Sequence, residues 1–191
     1  MDDKLGPKDN LDASIIRNSG NGERIGPKGT FLWVCYDKDG NFKWKDKIDN
    51  NVVTVGANVL LDANFATSYA VVGPFLGIIT ATTAPVIATA DTMSAHSGWS
   101  EAGNATVPAL MSARPTLVFA AATARGKAAT TASVTASGAG TAKGAFLVYF
   151  TGASATIDST SGTLFSAGTF SGGDKLLATG DTLQVTYTLS A

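Results

Sequence analysis

The chain has 191 residues, 45% of them hydrophobic, and a formal net charge of −1. That length can bury one sizeable core in a single domain, and the charge balance lacks the footprint that nucleic acid or an anionic membrane surface requires. A single cysteine, Cys35, excludes an intrachain disulfide and a thiolate zinc site, and a single histidine, His96, excludes a two-histidine metal centre.

The opening MDDKLGPKDN has neither the basic nor the apolar segment of a secretory signal, so synthesis for the cytoplasm is expected. Residues 1–50 carry 18 of the 29 charged side chains, and residues 1–29 offer only Leu5, Leu11, Ile15, Ile16 and Ile25 for packing. Such a segment cannot build a core. It reads as an extended arm, 1–29, that orders when laid on a partner, followed by a folded domain, 30–191. The densest apolar cluster of the arm, Leu11, Ile15 and Ile16 with Arg17 beside it, is the candidate partner-binding element.

The run FLWVCY (31–36) is apolar on both faces of an extended chain and is expected to be largely covered. After DKDGN, Phe42, Trp44 and Ile48 alternate with Lys43, Lys45 and Lys47, the period of a strand with one wet face. DKDGN is not a calcium loop. Counting from Asp37, glycine comes fourth rather than sixth and Ile48 stands where a bidentate glutamate is needed. Asp37 and Gly40 suit a hairpin turn instead.

NVVTVGANVLLDANF predicts one helix, with Thr54 as N-cap and an end near Asn64, covering an open end of the sheets. Residues 63–90 carry no charge, yet Pro74, Pro85, Gly73, Gly77 and a series of threonines argue against a membrane span and for a buried strand in YAVVGPFLGIITAT. Residues 88–113 read as a long ordered loop or two short strands. Within it, Trp99-Ser100-Glu101 can be a sugar-stacking indole beside a carboxylate or a loop anchored in the core by its tryptophan, and average tryptophan burial favours the anchor.

Six strand candidates follow: RPTLVFAAAT, KAATTASVTAS, KGAFLVYFTG, GTLFSAGTF, DKLLATG and DTLQVTYTLSA, separated by glycine-bearing turns. The class is all-β, with AFLVYF as a central strand because it does not alternate. Leu183, Val185, Tyr187 and Leu189 alternate with polar residues and mark a strand with one face inward. No nucleophile elbow, phosphate loop, dinucleotide fingerprint or paired metal-ligand run occurs. SGAGTAKGAF holds glycines and Lys143, but no Gly-Lys-Ser/Thr. Asp91, Glu101, Asp158, Asp174 and Asp181 are the acids beyond the helix, from which a glycosidase-like carboxylate pair could come together out of distant loops, although Asp174 and Asp181 occupy the post-glycine position of turn acids.

In order, VCYDKDGNFKWKDKIDNNVVTVGANVLLD, ADTMSAHSGWSE, KGAFLVYF and GTLFSAGTFSGGDKLLATGDTLQVTYTLS resemble a group of small virion proteins of tailed bacteriophages that includes head decoration, or cement, proteins. The resemblance spans about residues 32–190. It implies an antiparallel β-sandwich, jelly-roll-like, on the capsid exterior, bound non-covalently to the major capsid protein and to itself as a homodimer or homotrimer. Neither catalysis, cofactor nor metal is expected, and neither nucleic acid nor membrane is a partner. The rival reading is a tail or fibre-associated module that binds host-surface glycans through loop aromatics such as Trp99.

Overall fold

The computed structural model describes residues 27–65, 70–81 and 83–190. In chain order the elements are β1 (Lys28–Tyr36), β2 (Phe42–Val52), α1 (Thr54–Phe65), β3 (Phe75–Thr80), β4 (Ser100–Glu101), β5 (Gly126–Ala128), β6 (Ala132–Thr135), β7 (Gly140–Ala142), β8 (Gly144–Tyr149), β9 (Thr163–Thr169), β10 (Lys175–Leu177) and β11 (Thr182–Ser190). The described chain is therefore antiparallel β-structure with one short helix. Strand β1 starts two residues before Thr30, Lys28 pairing with Ser190 and Gly29 with both Leu189 and Asn50.

The main sheet runs β4-β3-β8-β9-β2-β1-β11-β5, with β6 also on β11, and β10 and β7 form a separate ribbon. Strand β2 joins two halves. Most of its length pairs with β1, and its last two residues, Asn51 and Val52, pair with Ala167 and Ser166 of β9. The inner faces of both halves then share one cluster, in which Phe31, Trp33, Ile48, Val185 and Tyr187 meet Leu76, Ile78, Ala145, Leu147 and Phe165.

A second cluster lies on the other face of β3, β8 and β9. Phe146, Val148, Ile79 and Leu164 pack there under Met93 and Trp99 of the 88–113 loop. This half is covered on both faces, which is why AFLVYF does not alternate. As expected, β8 is central, between β3 and β9.

The β1-β2-β11 half is different, and the expectation that FLWVCY is largely covered is corrected. Phe31, Trp33 and Cys35 are buried, but Leu32 is 54% exposed. Among the described residues, no second layer covers that face. Phe42 is a second correction, because it lies not on the core side but 59% exposed. A register shift between Cys35 and Tyr36 pairs Cys35 with Trp44 and Tyr36 with Phe42, and a one-residue slip turns a side chain to the opposite face. Phe42 there packs edge-on against Tyr36, centroids 6.4 Å apart.

DKDGN is a turn, as expected. The Asp37 carboxylate accepts hydrogen bonds from the Asp39 and Asn41 amides at 2.9 and 2.8 Å and from Asn41 Nδ2 at 3.0 Å, and Gly40 takes a φ of +87°. RPTLVFAAAT, by contrast, forms no strand. Its backbone bonds first to β3 and its lead-in (Leu76 N–H to Pro115 O, Leu117 N–H to Pro74 O), then to residues 128 and 130 (Thr130 N–H to Val118 O, Ala120 N–H to Ala128 O). It crosses from one half to the other, changing partners too often for a ladder.

The helix forms where expected, but Thr54 is its first residue rather than its cap. The first intrahelical bond runs from Ala57 N–H to Val53 O, while the Val53 and Thr54 amides donate to Phe165 O and Thr89 O. Gly56 faces Phe165 so closely that a Cβ would lie 2.2 Å from its carbonyl oxygen. Gly56→Ala tests this contact. Helix propensity alone favours alanine by about 1 kcal/mol, but the clash is with backbone, and a net loss of about 1–3 kcal/mol is expected in urea denaturation. A gain in stability would show that helix and β9 can separate.

Candidate functional site

Two regions gather the chemistry-bearing side chains: the buried network beneath the 88–113 loop, and the uncovered face of β1 and β2. In the first, Trp99 is 3% exposed. Its Nε1 donates to Asp91 Oδ2 at 2.9 Å, and the His96 ring stacks on it at 3.9 Å. The Asp91 carboxylate also accepts the Ala88 amide at 3.0 Å. The tryptophan is thus the core anchor of its loop, and its ring is not offered to a sugar.

Glu101, on β4, meets Arg114 in a two-pronged pair: Arg114 Nε donates to Oε1 at 2.9 Å and Nη2 to Oε2 at 2.7 Å. Oε2 also accepts the Asp158 amide at 2.7 Å, and Arg114 donates to the carbonyls of Ser154 and Ser159 at 3.0 and 2.8 Å. The guanidinium carbon lies 5.3 Å from the Phe146 ring centroid. Residues 154–159 and the 88–113 loop are tied together here, over β8. The remaining space, bordered by Met93, His96, Glu101 and Asp158, is about 20 Å³, room for one water. Both Glu101 oxygens are committed to protein donors, which is the arrangement of a structural carboxylate.

The other ionisable groups named from the sequence are also placed within the scaffold. Asp174 pairs with Lys143 at 3.1 Å, and Asp181, 2% exposed, receives Lys43 and the Ala178 amide. Cys35 lies 4.0 Å from Asp181. Burial first, and then that carboxylate, push its thiol up to about 11, so it stays protonated and unreactive at neutral pH. Among the described residues, no three His, Cys, Asp or Glu side chains gather to hold a metal ion. Leu11, Ile15, Ile16 and Arg17 lie outside the described residues.

Asp46 shows how the scaffold uses charge. Burial raises its pKa, but hydrogen bonds from Lys175 (2.7 Å), Ser171 (2.7 Å) and the Lys47 and Gly172 amides (2.7 and 2.9 Å) outweigh burial and hold it at about 2. These contacts fasten β2 to the turn after β9, through Ser171 and Gly172, and to the first residue of β10, Lys175.

The second region is the face that the sequence reading took as covered. Leu32, Val34 and Tyr36 line up along β1, opposite Lys47, Lys45 and Phe42 of β2 and Thr186, Gln184 and Thr182 of β11. A shallow groove of about 480 Å³ follows the paired Leu32–Val34 and Lys45–Lys47 segments. The result is an apolar ridge with ammonium groups on one flank and hydroxyls and an amide on the other. The signal for it was present in the sequence: once Lys43, Lys45 and Lys47 mark one face of β2 as wet, antiparallel pairing puts one face of β1 beside them.

No family model, no curated protein and no solved structure matches this chain.

Two outcomes test the network. Arg114→Ala strands a buried carboxylate and is expected to cost about 3–5 kcal/mol, whereas the apolar double replacement Arg114→Met with Glu101→Leu recovers most of that loss; denaturant titration reads both. For Asp46, a pKa depressed in the folded state means that its stabilisation is complete above the unfolded pKa near 4 and is lost as pH falls through about 2. Stability is expected to drop by about 2 kcal/mol over that window, and the part lost should vanish in Asp46→Asn.

Proposed function

We propose that this protein is a bacteriophage capsid decoration protein: a non-catalytic, cofactor-free, jelly-roll-like sandwich that sits on the outer surface of the assembled head and bridges subunits of the major capsid protein. The observation that carries the reading is the ridge of Leu32, Val34, Tyr36 and Phe42, with Leu32 and Phe42 more than half exposed, on a scaffold whose buried charges are spent on holding loops. Exposed apolar groups in a row, bordered by polar ones, are the composition of a protein contact. The order of sequence blocks that resembles phage virion proteins supports the same role.

In this proposal the ridge and the N-terminal arm share the docking, the arm through Leu11, Ile15, Ile16 and Arg17. Each copy contributes a modest contact, and a dimer or trimer multiplies it by raising effective concentration. The glycan-binding alternative loses its main support, because the ring on which it rested is buried beneath His96 and beside Phe146.

Cryo-electron microscopy of virions is expected to place the chain in icosahedral density on the head. Density confined to the tail tip overturns the assignment. On heads stripped of the protein and supplied with purified variants, Leu32→Glu with Phe42→Glu, or deletion of residues 1–26, is expected to weaken occupancy at least tenfold, about 1.4 kcal/mol. Surface changes of this kind leave folding stability within roughly 0.5 kcal/mol.

A further inference from the structure

The open end between the two halves holds a cavity of about 280 Å³, at the lower edge of the ~300–1,000 Å³ range of small-molecule sites. Leu147 (1% exposed), Phe150 (3%), Phe165 (3%) and Tyr187 (0%) form its floor, and Leu60 and Ala63 of α1 roof it. Cores are close-packed, and spaces wider than a water molecule are few. One this size with an apolar lining is a place for an apolar guest, as dry engineered cavities are. At its rim the exposed Val71 (70%) extends the apolar lining, beside the exposed Asn64 and Lys127.

The polar groups of the lining decide what the guest carries at its outer end. Lys127 is the only Lys, Arg, Asp or Glu among the described lining residues. Its Nζ gives one hydrogen bond to the Ala120 carbonyl at 3.1 Å, which leaves two of its three N–H groups for another acceptor. Tyr149 also lines the cavity, and burial raises the pKa of its hydroxyl, which stays protonated and able to donate. A head group that accepts hydrogen bonds and bears negative charge fits this pair, and an ammonium does not.

We propose that this cavity is a binding site for a linear, medium-chain aliphatic carboxylate, its chain on Leu147, Phe165 and Tyr187 and its carboxylate at Lys127. At ~30 Å³ per water-sized group the space holds roughly nine such groups, the scale of a decanoate chain.

The test uses the purified full chain with decanoate, decanol and decylamine, followed by calorimetric titration and thermal melting. Decanoate is expected to bind saturably at one site and to raise the melting temperature with dose, decanol about tenfold more weakly, and decylamine not measurably. Lys127→Ala should lower decanoate affinity about tenfold, the scale of one charge-assisted hydrogen bond, and leave decanol unchanged. Ala63→Phe fills the cavity from the helix and should abolish binding of all three. Val71→Trp, at an exposed rim position, blocks the mouth without touching the core and should do the same if Ala63→Phe fails to fold, as judged by near-ultraviolet circular dichroism. Absence of saturable decanoate binding, undiminished binding in a folded Ala63→Phe or Val71→Trp variant, or equal affinity for decylamine overturns the proposal.

Discussion

The continuity of β2 is the constraint from which the rest of this structure follows. Eleven residues long, the strand gives most of its backbone to β1 and its last two residues to β9, so one ladder passes from one half of the sheet into the other. A twisted antiparallel sheet led round in this way brings its own inner faces together. Phe31, Trp33, Ile48 and Tyr187 then oppose Leu76, Leu147 and Phe165, and no helix layer is needed to close the core. The ion pair of Asp46 with Lys175 ties β2 to the start of β10.

The closure leaves the halves unequal. The β3-β8-β9 half is pressed between the shared core and the 88–113 loop, and that loop is held by polar groups that have found partners: Arg114 with Glu101, Asp158 N–H with Glu101, and Trp99 with Asp91. A buried guanidinium–carboxylate pair adds little net stability over an apolar substitute but makes wrong arrangements costly. Its effect here is to define where two irregular segments lie over Phe146. Among the described residues, the β1-β2-β11 half is held only from within. Its outer face keeps an apolar ridge beside lysines, the surface that the proposed docking role uses.

The helix belongs to neither half of the sheet, although its Val59 is part of the shared core. It rests on β9 through Gly56, where the close approach excludes any side chain, and Val59 is its other buried residue. Leu61 and Phe65 are left exposed. A helix so sparingly buried roofs the end of the core without filling it, and the cavity beneath it follows from that geometry.

The sequence by itself determined the local structure. Period-two alternation with glycine-bearing turns specified antiparallel strands, the Asp37–Asn41 turn was legible from side chains that hydrogen-bond their own backbone, and the unalternating AFLVYF announced a strand covered on both faces. These features depend on neighbours a few residues away. The tertiary structure alone decided which of two apolar faces of β1 is covered, because that depends on whether a second layer lies above it, and a register shift at Cys35 moved Phe42 outward against the apparent alternation. It also decided the roles of Trp99, Glu101 and Arg114. Glu101 and Arg114 find their partners where residues 154–159 return, forty or more residues along the chain, and no local pattern encodes that distance.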